Sequence, residues 1–385
     1  MIRFSTAGES HGQGILAVLE GIPSGLNINT EDIDVDLARR QKGYGRGQRM
    51  KIETDHVTII SGVRHARTLG SPITLYIANK DWDNWRSIMS PISVDLDGKS
   101  LLKPRPGHAD LAGLTKYGVS DFRDILERAS ARETAARVAA GSVCRELLKE
   151  FGINIYSYVE QIGGVSAKIS SIPKEKMQHE AEMSFVRCPD KTASKKMIQI
   201  IKKAMSKGDT LGGKIRVIAE NIPVGLGSHT QWDMKLDGRL AQSLMAVQAV
   251  KAVEFGMGTK FAGVLGSDAH DEIFYSKNKS FYRKTNRAGG TEGGITNGEN
   301  IEISCTMKPI PSLVRPLRSV NLGSKKPEKA EAVRSDACAV PACGVVAEAA
   351  VAFELAKAMR EKFGGDCMED MKNNFNLYIE RIKRI

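Results

Sequence analysis
The chain has 385 residues, 41% of them hydrophobic, which is enough for one large core or two of ordinary size. Its 56 Lys and Arg against 45 Asp and Glu leave a formal charge of +11, a surplus that draws nucleic acid, acidic membranes or small molecules with several negative charges. No run of 18 apolar residues argues for a membrane-spanning helix, and six scattered cysteines without a CxxC pair or finger-like spacing argue against zinc and for reduced thiols in a cytoplasm.

The opening Met1–Ser5 reads straight into a strand at 2–6 rather than into a signal peptide, and a second strand is expected at 15–19. Between them, Gly8-Glu9-Ser10-His11-Gly12 sets an imidazole among glycines that let backbone approach a ligand. Gly12-Gln13-Gly14 imitates a dinucleotide fingerprint, but a strand follows where a helix is required. A helix is predicted from Thr30 through Arg40. The loop after it mixes Arg39, Arg40, Lys42, Arg46, Arg49 and Lys51 with glycines, as either a solvated basic loop or a clamp for phosphate and carboxylates. Strands follow at 57–60 and 73–77. Lys103–Asp110 is too rich in Pro and Gly for a helix and presents Arg105, His108 and Asp110 close together.

Arg128-Ala129-Ser130-Ala131-Arg132-Glu133-Thr134 carries the most information. Ser130 and Glu133 have capping-box spacing, the hydroxyl taking an N–H of the first turn and the carboxylate returning to the cap. The helix is predicted from Ser130 to Phe151, with Gly152 as its left-handed stop. Arg128 and Arg132 beside a positive helix mouth form an anion site; a capped core helix with solvated arginines is the competing account. A strand is expected at 153–159 and a lysine-rich amphipathic helix at 192–205. Leu236 to Phe255 reads as one helix ending at Gly256, with Gln248 and Lys251 as solvent-facing interruptions. Arg287–Gly294 is either a glycine-rich anion cradle or a surface hairpin. A strand at 301–307 leads into Lys308-Pro309-Ile310-Pro311-Ser312. Arg334 and Asp336 then stand at the mouth of a helix over 341–363 that is apolar all round and therefore buried.

An internal repeat organises these elements. Gly12, Ile15, Glu20, Ile22, Pro23, Gly25 and Leu26 recur 200 residues later as Gly212, Ile215, Glu220, Ile222, Pro223, Gly225 and Leu226. Thr68, Gly70, Ile73, Leu75 and Lys80 recur in the same order as Thr296, Gly298, Ile301, Ile303 and Lys308. The expectation is an α/β chain, an α+β layered sandwich of duplicated strand-helix units in one pseudo-symmetric body rather than a Rossmann fold. Copy one spans 1–152, a connecting segment 153–204, copy two 205–365 and a tail 366–385, all within a single domain.

Gly8–Gly12, Arg128–Thr134 and Arg334–Pro341 together resemble the chorismate synthase family closely, from Met1 to about Phe363, including the basic loop and Arg105–Asp110. The resemblance implies a lyase of the shikimate pathway of aromatic amino-acid biosynthesis. It would convert 5-enolpyruvylshikimate 3-phosphate to chorismate and phosphate by anti 1,4-elimination, needing reduced FMN without net redox change. It implies Ser10, Arg40, Arg46, Arg49, Arg105, Arg132 and Arg334 on the substrate. It places Arg128, Ala129, Ser130, Gln248, Ala249, Gly293, Lys308, Pro309, Ile310, Pro311, Ser312 and Arg334 on FMN. It casts His108 as general acid to the departing phosphate, Asp336 as base and His11 as partner of the anionic reduced flavin. Arg40 and Arg46 are also the family's nicotinamide-dinucleotide (NADP) positions, although the same arginines suit substrate anions. A homotetramer in the cytoplasm is implied, and an external flavin reductase or other source of reduced FMN is expected, with no metal, nucleic acid or membrane. The rival account from charge alone, a nucleic-acid-binding protein, lacks an aromatic stacking ladder. A nicotinamide-dependent dehydrogenase lacks a correctly placed glycine fingerprint.

Overall fold
The computed structural model describes residues 1–47, 54–92, 100–277, 280–332 and 336–385. Two antiparallel sheets are built from β-branched, alternating runs. The first orders its strands as Arg3–Ala7, Gly14–Glu20, Ile73–Ala78 and Val57–Ser61. The second runs Val250–Phe255, Ile301–Met307, Gly213–Glu220, Asn154–Ile162 and Val165–Ser166. Read from its Asn154–Ile162 strand, the second sheet repeats the strand order of the first. The stretch expected to be a connector thus supplies an inner strand as well as the helices Lys174–Met183 and Lys191–Lys207.

Helices Thr30–Gln41, Thr134–Lys149, Leu236–Met245 and Val340–Phe363 lie between the sheets. The Val340–Phe363 helix is buried along nearly its whole length, as its all-round apolar sequence requires. It touches both layers: it packs on the second sheet, while Phe353 meets Phe4 of the first edge-on at 4.7 Å. It crosses the Thr134–Lys149 helix so closely that a Cβ at Gly141 would stand 2.4 Å from Ala349 Cβ. One continuous apolar core joins the layers.

The repeated motifs make the same bonds twice. Thr68 Oγ1 donates to Pro23 O at 2.6 Å and accepts from Leu26 N at 3.0 Å; Thr296 Oγ1 donates to Pro223 O at 2.7 Å and accepts from Leu226 N at 2.8 Å.

Two sequence expectations fail here. The helix expected from Leu236 to Phe255 stops at Met245. Ala249 then turns the chain through φ +68°, and Val250–Phe255 pairs with Ile301–Met307 as a strand, where β-branched Val250 and Val253 fit the pleat. The capping box also forms only by half. Ser130 is extended and takes the Arg132 N–H at 3.3 Å, but a 3₁₀ turn at Ala131–Glu133 precedes the helix proper. Glu133 turns away from the cap to accept from Thr6 Oγ1, Gln248 Nε2 and Arg137 Nε. Those long-range partners outcompete a local bond. Gly152 does stop the chain at φ +74°.

Candidate functional site
The Ser10–His11 loop is fastened to the segment ahead of Ser130. Arg128, expected to flank an anion site, donates to the carbonyls of Thr6 and Gly8 at 2.8 and 3.2 Å. Ser130 Oγ donates to Ser10 Oγ at 3.1 Å. His11 Nδ1 lies 2.9 Å from Glu127, and its ring stacks on Trp85.

Beside this loop sits a buried cationic pair. Arg40 and Arg132 close on Asp55 from two sides, and Asp55 is 3% exposed. Burial would raise the Asp55 carboxyl, but the two guanidinium groups outweigh it and hold it low. Arg40 is pushed down by burial and by the charges of Arg132 and Arg46, against the pull of Asp55. Thr134 Oγ1 accepts from Arg40 at 3.2 Å, Asn79 Oδ1 accepts from Arg132 Nε at 2.8 Å, and Arg40 Nε is buried with no partner among the described residues.

Arg46 reaches Asp336 at 2.7 Å, and the Gly47 N–H donates to the same carboxylate at 2.6 Å. Asp336 thus takes its place ahead of the central helix from the basic loop, a contact across 289 residues.

The Pro/Gly-rich loop forms the third group. Asp110 accepts from Arg105 Nε at 2.8 Å and from Arg105 Nη2 at 3.0 Å, and lies 2.6 Å from His108 Nδ1. Burial would raise Asp110, but the close imidazole of His108 and the hydrogen bonds from Arg105 hold it far below the ordinary carboxylate range. Arg105 Nη1 donates to Ser312 Oγ at 2.9 Å, and Lys308 Nζ donates to the Gly107 carbonyl.

These groups close into a circuit. Glu133, next to Arg132, accepts from Gln248 at 2.9 Å, and the neighbouring Ala249 carbonyl accepts from Lys308 N at 2.9 Å. Lys308–Ser312 carries the Arg105 and His108 loop, and Ile310 O accepts from Thr210 Oγ1 at 2.8 Å. Leu211 N donates to Ala337 O at 2.8 Å, beside Asp336, and Arg46 on Asp336 is near enough to Arg40 for its charge to act there. His11 is tied to this circuit through Ser10 and Ser130, His108 through Asp110 and Arg105, and Asp336 through Arg46. Arg49 and Arg334 lie outside the described residues.

Gln248, expected to face solvent within a helix, instead occupies the turn before the Val250 strand. Its Nε2 is held by Glu133 and its Oε1 is buried without a partner among the described residues. Gly293 and Gly294 form the turn of a two-stranded hairpin, Thr291–Glu292 against Ile295–Thr296, with Gly289 and Gly290 buried at its base. Sequence reasoning missed Asp55, Glu127, Asn79 and Trp85. The available signal was an acidic residue beside a basic cluster, Glu127 just ahead of Arg128 and Asp55 just past the arginine loop. No metal-holding group of His, Cys, Asp and Glu occurs among the described residues.

A family model described as chorismate synthase matches residues 2–360. The chorismate synthase of Endomicrobium trichonymphae is 68% identical over 385 residues, covering 100% of both chains. That of Desulforudis audaxviator is 52% identical over 384 residues, covering 100% of this chain and 98% of the relative. A crystal structure of chorismate synthase superimposes with a TM-score of 0.81 at 43% identity, covering 100% of this chain and 99% of the other.

Proposed function
This chain belongs to the chorismate synthase family and carries its activity, the conversion of 5-enolpyruvylshikimate 3-phosphate to chorismate; we propose that the circuit of arginines, histidines and Asp336 is where it does so, with reduced FMN bound. The observation that carries the proposal is the closure of that circuit by residues from distant parts of one chain. A substrate with two carboxylates and a phosphate, beside a flavin phosphate, calls for fixed cations. Each charge-assisted contact contributes about 1.5–3 kcal/mol.

Arg46 and Arg105 hold the substrate anions together with Arg49 and Arg334, while Arg40 and Arg132 reach them from the Asp55 pair. Asp110, kept ionised by Arg105, faces His108 Nδ1 and favours the protonated ring, whose Nε2–H then passes its proton to the departing phosphate and leaves a neutral imidazole. Asp336, aimed by Arg46 and the Gly47 N–H, is the base that receives the proton lost from the ring. His11 supplies a proton-bearing partner to the anionic cofactor.

The residues present fit FMN. Gln248 Oε1 is a buried acceptor with no hydrogen-bond partner among the described residues, left for a donor from outside the chain, and Ala249 next to it is bonded to Lys308, the start of the Lys308–Ser312 segment. When bound, reduced FMN supplies an electron-rich ring that supports loss of the allylic phosphate. The reduced flavin, in this proposal, comes from an external reductant. Arg40 and Arg46 serve the substrate rather than a nicotinamide dinucleotide.

The duplicated units run, in this reading, from Arg3 and from Asn154, with the Lys174–Lys207 helices inserted into the second. A homotetramer is supported by exposed Ile273, Tyr275 and Phe281 on one hairpin and by nearby-in-sequence Leu265, apolar surface suited to a second copy. A cytoplasmic setting is supported by the free cysteines, and no helix among the described residues is long and apolar enough to cross a membrane.

The test is anaerobic incubation with 5-enolpyruvylshikimate 3-phosphate and chemically reduced FMN, following chorismate absorbance. Turnover with reduced FMN and none with oxidised FMN is expected. Equal rates with both would overturn the cofactor assignment, and no chorismate at all would overturn the site.

A further inference from the structure
Behind His11 stands a carboxylate that the reaction described so far does not use. Glu127 lies near the end of the Arg123–Ala129 helix with its side chain fully buried. It grips His11 at two points. The His11 backbone N–H donates to Oε2 at 2.8 Å, and the ring Nδ1 lies 2.9 Å from each carboxylate oxygen. The Glu127 carbonyl also accepts from Ser10 N at 3.1 Å. Trp85 stacks on the imidazole with ring centroids 3.9 Å apart and planes 26° from parallel. Arg123 stands 3.8 Å from Glu127 Oε1 and 5.5 Å from the Trp85 ring, balancing the buried charge.

Burying a carboxylate is costly, and a neutral acceptor would satisfy a loop N–H equally well. What the carboxylate adds is at Nδ1. An ionised carboxylate only accepts, so the nitrogen facing it carries the hydrogen whether the ring is neutral or charged. A neutral His11 then has its lone pair at Nε2, and any proton the ring gains or gives up passes through that atom. Stacking against Trp85 opposes the ring flip that would exchange the two nitrogens.

We infer that Glu127 is the positioning residue of His11: it fixes the Nδ1–H tautomer and assigns proton exchange to Nε2, with Trp85 holding the ring plane. This role presupposes that His11 belongs to the reaction centre proposed above.

Glu127→Gln keeps the size of the side chain but offers the ring an amide that can donate as well as accept. The readouts are the ring-nitrogen shifts of 15N-histidine-labelled protein, with His11→Asn identifying the His11 signals among seven histidines, and steady-state kinetics with reduced FMN. Wild type is expected as the Nδ1–H tautomer. E127Q is expected to gain the Nε2–H form and to lose at least tenfold in kcat, with the KM for 5-enolpyruvylshikimate 3-phosphate within about twofold. E127D, which keeps an acceptor-only group, should retain the wild-type tautomer. In an H11N background, E127Q should cost nothing further. A wild-type Nε2–H tautomer, an unchanged kcat in E127Q, or an equal loss in the H11N background would overturn the inference and leave Glu127 a loop clamp. An H11N enzyme with wild-type kcat would instead overturn the place of His11 in the reaction centre.

Discussion

Glu348 offers the sharpest test of how this fold is held together around its site. It lies within the central helix, 0% exposed, facing Arg39, Arg145 and Arg187. Ser157 Oγ donates to it at 2.6 Å. Burial alone would raise its carboxyl, yet the three guanidinium charges outweigh burial and bring it from 4.5 down to about 2. Such a depression corresponds to about 3 kcal/mol of folding stability. Because the folded value lies below the unfolded one, that stability is fully present above pH 4.5 and is lost as pH falls toward 2. Glu348→Gln keeps the shape, removes the charge and leaves three buried arginines sharing, among the described residues, the carboxylates of Asp36 and Glu182. The expected loss at pH 7 is about 3–5 kcal/mol, as for breaking a buried pair. At ~2.1 cal/mol/K per residue, a loss of that size lowers the melting temperature by about 4–6 °C for a chain this long. Thermal melts of both proteins at pH 7, 5, 4 and 3 supply the assay. Equal melting temperatures at pH 7, or a gap that does not narrow on acidification, would refute the electrostatic account.

Three further outcomes are expected. His108→Ala should cut kcat at least a hundredfold while FMN binding, measured by flavin fluorescence, stays nearly intact; unchanged turnover would remove it as the general acid. Asp336→Asn should bind substrate but slow the chemical step, and a wild-type single-turnover rate would exclude it as the base. Gly141→Ala should cost about 1–3 kcal/mol, because its Cβ meets the Ala349 backbone as well as its side chain. A denaturant midpoint equal to wild type would show that the two helices can part at little cost.

Much of this architecture is legible in the chain. The recurrence of Thr68 as Thr296 and of Pro23 as Pro223 is visible in the sequence, and the structure matches it with one hydroxyl bond to the proline carbonyl in each copy. The all-round apolar stretch after Pro341 foretells a central helix, because only burial on every side tolerates such a surface. The His11 loop, the arginine loop and Arg105–Asp110 are marked in the sequence by glycine, proline and charge.

What tertiary structure alone decided was partnership. Helical periodicity over Leu236–Phe255 was overridden when Ile301–Met307 offered Val250–Phe255 a ladder, and Glu133 left its cap for Thr6 and Gln248, residues 127 and 115 positions away. Asp55 between Arg40 and Arg132, and Glu127 under His11, are marked in the sequence only by lying beside basic stretches, which does not tell which residues they meet. A buried charge is tolerated only where opposite charges or donors meet it, and where those lie is decided by how the layers close.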